Sequence, residues 1–292
     1  MNTDSKYTLR ELTDSAVRRL TAVYPDGEAR MLVRIIYEEL KGWSQVDRVI
    51  LADQPVTQYF ADKVNGIVER LLRHEPIQYI FSSARFYGLQ LKVTPAVLIP
   101  RQETEELVDM IVSDYRDRTD LRIIDLCTGS GCIAVALARN LPFPEVEGVD
   151  NSAEALEVAR ENAKLLKVSV DFRLVNVLEM PEPTEGEYDI VVSNPPYIVP
   201  SEKKEMEQNV LDYEPSAALF VPENDPFLFY KAISRWSLKS LAAGGRIYFE
   251  INPLFAAELK RWMTAEGWAD VELFADMQKK QRFLRAQKPV DQ

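Results

Sequence analysis

Arg122-Ile-Ile-Asp-Leu-Cys-Thr-Gly-Ser-Gly131, running on into Cys132-Ile-Ala-Val-Ala-Leu-Ala138, decides the fold of this 292-residue chain. An apolar run of strand length ends in an acid, a turn of small residues follows, and an Ala-rich helix leads away. That is the first half of a βαβ unit. The pattern recurs downstream. Val146-Glu-Gly-Val-Asp150 reads as the next strand, and Ser152 caps a helix to about Leu166 with Glu154 and Glu157 in its first half. Val168 to Val175 alternates as a strand, and Tyr188-Asp-Ile-Val-Val-Ser193 reads as a buried parallel one. Phe227 to Leu241 is helical, with Gly244-Gly245 expected as its C-terminal cap. Arg246-Ile-Tyr-Phe-Glu-Ile251 is a strand, Pro253 opens a helix, and strands near 269–275 and 281–286 close the chain. Upstream, Glu103 to Ser113 is an amphipathic helix. Such alternation predicts a doubly wound, mostly parallel α/β sheet.

Outside this region the character changes. Leu9, Leu12, Val17 and Leu20, then Met31, Leu32, Ile35, Ile36 and Leu40, fall at helical spacing. Thr57 is placed to cap a helix through Ile67, Val68, Leu71 and Leu72. Tyr79-Ile-Phe81, Phe86-Tyr-Gly-Leu89 and Leu91 to Ile99 suggest short strands around Gly88. The expected organisation is a helical domain over 1–75, a β-hairpin linker over 76–100 and an α/β domain over 101–292.

The net charge of −11 lies almost wholly in the α/β part: about −1 falls on residues 1–84 and −10 on 85–292. That balance argues against duplex DNA or an anionic membrane as partner. Two cysteines, Cys127 and Cys132, make no disulfide framework, and one histidine, His74, makes no His-rich metal site, so no metal is expected. No run of 18 apolar residues occurs and no signal-like segment opens the chain, so a cytoplasmic protein is expected.

At the first turn, Gly129 and Gly131 let the backbone approach a ligand, and the helix N-terminus aims free N–H groups at it. The Cys127–Cys132 segment is not G-x-G-x-x-G, and Asp125 beside it would repel a pyrophosphate. A carboxylate there suits a cation. Asp150, with Asn151 after it, ends the second strand, where a carboxylate can take both hydroxyls of a ribose. An acid near a cationic head and an acid at a ribose fit S-adenosyl-L-methionine. The cofactor set is then Asp125, Cys127, Thr128, Gly129, Ser130, Gly131, Asp150 and Asn151, with Asn176 and Val177 at the adenine and Asn194 completing it. An ordinary βαβ turn with a helix-capping Asp is the alternative.

The fourth strand ends in Ser193-Asn-Pro-Pro-Tyr197. Two prolines hold the loop extended and carry no N–H, leaving their carbonyls free to accept. A planar –NH₂ offers two donors: the Asn194 side-chain oxygen takes one and the Pro195 carbonyl the other, with Pro196 fixing the loop and Tyr197 covering the flat face. The group held is an amide or exocyclic amine, whose delocalised lone pair makes it a poor nucleophile. Neutral hydrogen bonds contribute only ~0.5–1.5 kcal/mol each, whereas alignment of two reactants supplies up to ~7–11 kcal/mol. Alignment should dominate. A strand-terminating turn is the alternative reading of these four residues.

On these motifs, with Glu75-Pro-Ile-Gln-Tyr-Ile80, Phe86-Tyr-Gly88, Val97-Leu-Ile-Pro-Arg-Gln-Glu-Thr-Glu-Glu-Leu107 and Tyr213-Glu-Pro-Ser-Ala-Ala-Leu219, the chain resembles the HemK/PrmC family of N5-glutamine methyltransferases acting on peptide chain release factors. The resemblance implies a Rossmann-like class I S-adenosylmethionine-dependent methyltransferase domain behind a helical domain and a hairpin. It implies transfer to the glutamine amide in the Gly-Gly-Gln loop of class-1 release factors. A monomer is expected, with no nucleic acid or membrane partner. By match, Cys127–Gly131, Asp150 and Asn194 touch the cofactor, Asn194 to Tyr197 hold the glutamine, and the helical domain binds the factor. Arg101, Glu103 and Glu105 read as a surface cluster capping the helix that follows, with a position beside the cofactor as the alternative that the resemblance suggests. Gln102 replaces a proline common in the family, Cys127 a glycine, and Asn176 an aspartate. A ribosomal-protein glutamine is the alternative substrate. An adenine-N6 nucleic-acid methyltransferase shares Asn-Pro-Pro-Tyr but calls for a basic region, and Lys203-Lys204 is flanked by Glu202, Glu205 and Glu207.

Overall fold

Thr8 begins the first helix, α1 (Leu9–Leu20), by accepting from the Glu11 N–H while the Glu11 carboxylate reaches back to the Thr8 N–H. The computed structural model describes residues 7–290, and the chain divides between Ser82 and Ser83 into two units. The first holds α1, α2 (Asp26–Lys41), α3 (Gln45–Ile50), α4 (Gln58–Leu71) and α5 (Ile77–Phe81). Thr57 caps α4 as its position predicts. Leu12, Leu20, Ile36, Val64, Val68 and Leu71 are buried together in one core. The apolar run at 77–81 forms α5 rather than a strand. Pro76 pre-sets the helical entry, its carbonyl accepts from Tyr79 and Ile80, and Ser82 ends the turn at φ +53°. A run this short has no period to separate strand from helix.

The second unit opens with the hairpin β1 (Ser83–Phe86) and β2 (Leu89–Lys92). There follow α6 (Gln102–Tyr115), β3 (Arg122–Leu126), α7 (Cys132–Asn140), β4 (Glu145–Asp150), α8 (Ala153–Leu166), β5 (Asp171–Leu174) and β6 (Tyr188–Ser193). Short helices α9 (Gln208–Tyr213) and α10 (Ser216–Leu219) precede α11 (Leu228–Ser240), β7 (Leu241–Glu250), α12 (Ala256–Ala265), β8 (Ala269–Ala275) and β9 (Gln281–Gln287). The seven strands lie in the order β5-β4-β3-β6-β7-β9-β8, parallel except for β9, which is antiparallel to both neighbours.

Alternation assigns the faces. Ile123, Ile190, Val192 and Tyr248 pack with α6, α7 and α8 on one side. Ile124, Val191, Ile247 and Phe249 pack with α11 and α12 on the other. The doubly wound expectation holds, with both faces covered. Gly244 and Gly245 do not cap α11. The helix stops at Ser240, and the pair lies inside β7, where the register jumps from Tyr188–Leu241 to Ile190–Arg246. Gly244 supplies φ +75° for that bulge. Among the described residues, no helix is long and apolar enough to cross a membrane.

Candidate functional site

Sheet register builds the site. Leu126 pairs with Val149 on one side and Ser193 on the other, and Ser193 pairs with Phe249. The residues that follow, Cys127, Asp150, Asn194 and Glu250, therefore leave the carboxyl edge side by side across four strands. The chain reverses its winding here, between β3 and its two neighbours, which is where open α/β sheets take ligands.

The β3 end is braced from within. Asp125 is fully buried; its Oδ2 accepts from Thr128 Oγ1 at 2.6 Å and the Ala134 N–H at 3.2 Å, while Oδ1 has no partner. Burial pushes this carboxyl up to about 7, against the pull of its two donors, and the charge of Asp150 adds to the rise. Asp150 accepts from the Gly129 N–H at 2.8 Å and the Ser152 N–H at 3.0 Å, and burial raises its pKa too. Cys127 is held at φ +64°, a left-handed conformation that costs an L-residue about 1 kcal/mol or more. Burial raises the pKa of both thiols, Cys132 up to about 12, so neither is a thiolate at neutral pH. Asn162 ties the loop to the hairpin: its Nδ2 donates to the Ser130 and Lys92 carbonyls and its Oδ1 accepts from the Lys92 N–H.

Two cavities adjoin along this edge. The first is walled by Cys127, Thr128, Gly129, Ser130, Asp150 and Asn151, with Val175, Val177 and Phe229 supplying apolar surface. Asn194 and Pro196 close its far side. The second is walled by Asn194, Pro195, Tyr197 and Glu250, with Val210 and Leu219. Leu98, Arg101, Asn194 and Ala218 belong to both walls.

Three expected ligand residues stand off these walls. Asp125 lies behind the loop, turned onto Thr128 and α7. Gly131 is a glycine for packing: a Cβ there would come within 3.0 Å of Ala159 Cβ and 3.2 Å of the Phe172 ring, so its absence lets α7 sit against α8. At Gly129, by contrast, an added Cβ meets nothing within 4 Å. Asn176 spends its side-chain oxygen on the Leu178 N–H, capping a 3₁₀ turn. Of the acidic residues after Arg101, Glu103 lines neither cavity and Glu105 faces a separate groove with Tyr87 and Asp109.

The reaction end has partners that sequence reasoning missed. Asn194 Nδ2 donates to Thr104 Oγ1 at 3.3 Å, Thr104 Oγ1 donates to Glu250 Oε2 at 2.6 Å, and the Tyr197 hydroxyl donates to Glu250 Oε1 at 3.0 Å. Thr104 and Glu250 are both 2% exposed. Burial raises the Glu250 pKa, against the donors Thr104 and Tyr197, and it raises the Tyr197 phenol, which stays a donor. Glu214 accepts from the Ile99 N–H at 3.0 Å and Arg101 at 2.5 Å, joining the segments on either side of both cavities. The available signals were a threonine inside the apolar stripe Leu107, Val108, Ile111 of α6 and a glutamate ending the apolar run Ile247-Tyr-Phe249.

The site can therefore hold a nucleoside against a planar amide. Carboxylate, small loop and apolar wall in the first cavity fit an adenosine with a cationic substituent, and open space over Gly129 leaves room for it.

Comparison with known proteins bears on the same regions. Residues 11–81 match the family model described as PrmC N-terminal domain, and residues 102–214 match Methyltransferase small domain. The release factor glutamine methyltransferase of Bacteroides thetaiotaomicron is 40% identical over 278 residues, covering 95% of this chain and 99% of that one. That of Koribacter versatilis is 33% identical over 287 residues, covering 97% and 99%. A solved methyltransferase from Pyrococcus furiosus superposes with a TM-score of 0.52 at 15% identity, covering 77% of this chain and all of that one, a likeness of fold.

Proposed function

From the premise that the chain belongs to the release factor glutamine methyltransferase family, we propose that its two adjoining cavities are the cofactor and glutamine sites of one reaction. The activity is S-adenosylmethionine-dependent transfer of a methyl group to the side-chain amide of a release-factor glutamine. When bound, the cofactor supplies an electrophilic methyl on a sulfonium that departs as a neutral thioether, so no leaving-group acid is needed.

The chain's own residues do the positioning. Asp150 takes the ribose hydroxyls with lone pairs not used by Gly129 and Ser152. The Cys127–Ser130 loop follows the amino-acid tail, and Val175 and Val177 pack on the base. Asp125 acts at one remove, its carboxyl bracing Thr128 and the start of α7 from behind the loop. In the second cavity the Asn194 side-chain oxygen and the Pro195 carbonyl accept the two amide hydrogens, and Tyr197 covers the flat face. One observation carries this reading: Asn194 stands in both walls with its Nδ2 committed to Thr104, so Oδ1 is the group left to accept a substrate N–H. The glutamine is that of the Gly-Gly-Gln loop of a class-1 factor, and the helical unit, nearly neutral, meets the body of the factor. The same reading takes a monomer as the active unit and the cytoplasm, where a release factor works, as its place.

The test is methyl-labelled cofactor offered in parallel to a class-1 release factor, its Gly-Gly-Gln→Gly-Gly-Ala variant, a ribosomal protein and DNA. Label is expected only in the unmodified factor. Label in the Ala variant, or only in ribosomal protein or DNA, overturns the reading.

A further inference from the structure

The Asn-Pro-Pro-Tyr segment does not orient itself. A side-chain amide can be turned either way about its last bond, and with –NH₂ toward the substrate Asn194 would face donor with donor. Something must choose the orientation. Within reach of Asn194 that choice falls to Thr104, whose hydroxyl has a single hydrogen. That hydrogen goes to Glu250 Oε2 at 2.6 Å, the shorter contact, which leaves Thr104 Oγ1 able only to accept from Asn194. Glu250 accepts at both oxygens, the second from the Tyr197 hydroxyl. One buried carboxylate therefore sets the direction of every hydrogen bond in the set, holding Tyr197 directly and Asn194 through Thr104.

Resting on the proposed function, we infer that Glu250 and Thr104 are positioning residues for methyl transfer, forming a directional chain that keeps the Asn194 oxygen turned toward the substrate amide. Neither needs to touch the reacting atoms. The same donors stabilise Glu250 as an anion against its burial, so the chain's direction and the charge of Glu250 support each other. Register provides the geometry: Ser193 opposite Phe249 puts Asn194 beside Glu250, and α6 delivers Thr104 from 146 residues away in sequence.

Two substitutions at one position separate this role from packing. Thr104→Val keeps the shape and loses the hydroxyl; Thr104→Ser keeps the hydroxyl and loses a methyl. With the full-length enzyme, Thr104→Val is expected to lower kcat roughly 10- to 100-fold, with release-factor KM and cofactor Kd within about threefold of wild type and the melting temperature lowered by roughly 2–10 °C, because a buried carboxylate loses a donor. Thr104→Ser is expected to keep a third or more of the wild-type kcat. Glu250→Gln, whose amide can donate into the chain and reverse it, should fall with Thr104→Val. A readout independent of turnover is the side-chain NH₂ resonance pair of Asn194, expected to move in Thr104→Val and to stay in Thr104→Ser. Wild-type kcat in Thr104→Val, equal damage in Thr104→Ser, or an unmoved Asn194 pair in Thr104→Val overturns the inference. If the wild type labels no release factor while the resonances move as stated, the proposed function fails and the positioning chain stands.

Discussion

The two ends of the site are held in different ways. At the β3–β4 end the bonds are short-range in sequence or run to backbone: Thr128 to Asp125 three residues away, Gly129 N–H to Asp150 twenty-one away. At the β6–β7 end they run between side chains far apart: Tyr197 to Glu250 across 53 residues, Asn194 to Thr104 across 90, Thr104 to Glu250 across 146. The cofactor end is a local device that a βα turn can carry almost alone. The reaction end exists only after α6, β6 and β7 have been assembled. A loop serving a nucleoside can be built from backbone donors, but aiming an amide at a methyl carbon demands side chains whose orientation is fixed from outside the loop.

Substitutions can break or sharpen that contrast. Asn194→Ala removes an amide acceptor and the link to Thr104; turnover should fall roughly a thousandfold or more, while calorimetry finds cofactor affinity within about tenfold of wild type. A loss of affinity matching the loss of turnover would mean the ends are not separable.

At the cofactor end, Asp125 should show its cost in stability. Its folded pKa of about 7 lies above the ordinary 3.8, so the folded state holds the proton more tightly than the unfolded chain does. This group's contribution to stability is therefore greatest below pH 4 and declines as pH rises to 7, by up to about 4 kcal/mol. Asp125→Asn lacks that decline. Denaturation at pH 5 and pH 8 should find the variant gaining on wild type at the higher pH; parallel curves would show that Asp125 is not proton-linked.

Asp150→Ala should weaken cofactor binding by roughly 10- to 100-fold through loss of charged hydrogen bonds, and saturating cofactor should restore much of the turnover. An affinity unchanged by the substitution would remove Asp150 from the cofactor site. The smallest effect belongs to Cys127→Gly. Relief of the φ +64° strain should raise stability by about 1 kcal/mol, read from the denaturation midpoint; a loss would mean that the thiol's packing outweighs the strain.

Much of the fold was legible because its signals are periodic. Arg122–Leu126 and Tyr188–Ser193 are strands at the residues where alternation and apolar content put them, and Ser152 and Thr57 cap as read. Legibility failed where a pattern was too short or had two uses. Tyr79-Ile-Phe81 could be strand or helix until Pro76 decided it, and Gly244-Gly245 suits a helix cap and a bulge equally. At the site, a small turn residue such as Gly131 and a polar residue after a strand such as Asn176 have the same local appearance whether they serve a ligand, a helix contact or a 3₁₀ turn.

By itself the sequence determined the succession of the seven sheet strands, the loop at Cys127–Gly131 and the Asn-Pro-Pro-Tyr segment, since each is written in neighbouring residues. Tertiary structure alone decided that Cys127, Asp150, Asn194 and Glu250 stand in one row and that Thr104 reaches across to them. Alternation says which face a residue takes, but only the register between strands says which residues are neighbours. A hydrogen bond closed over 146 residues leaves no periodic trace in the chain that makes it.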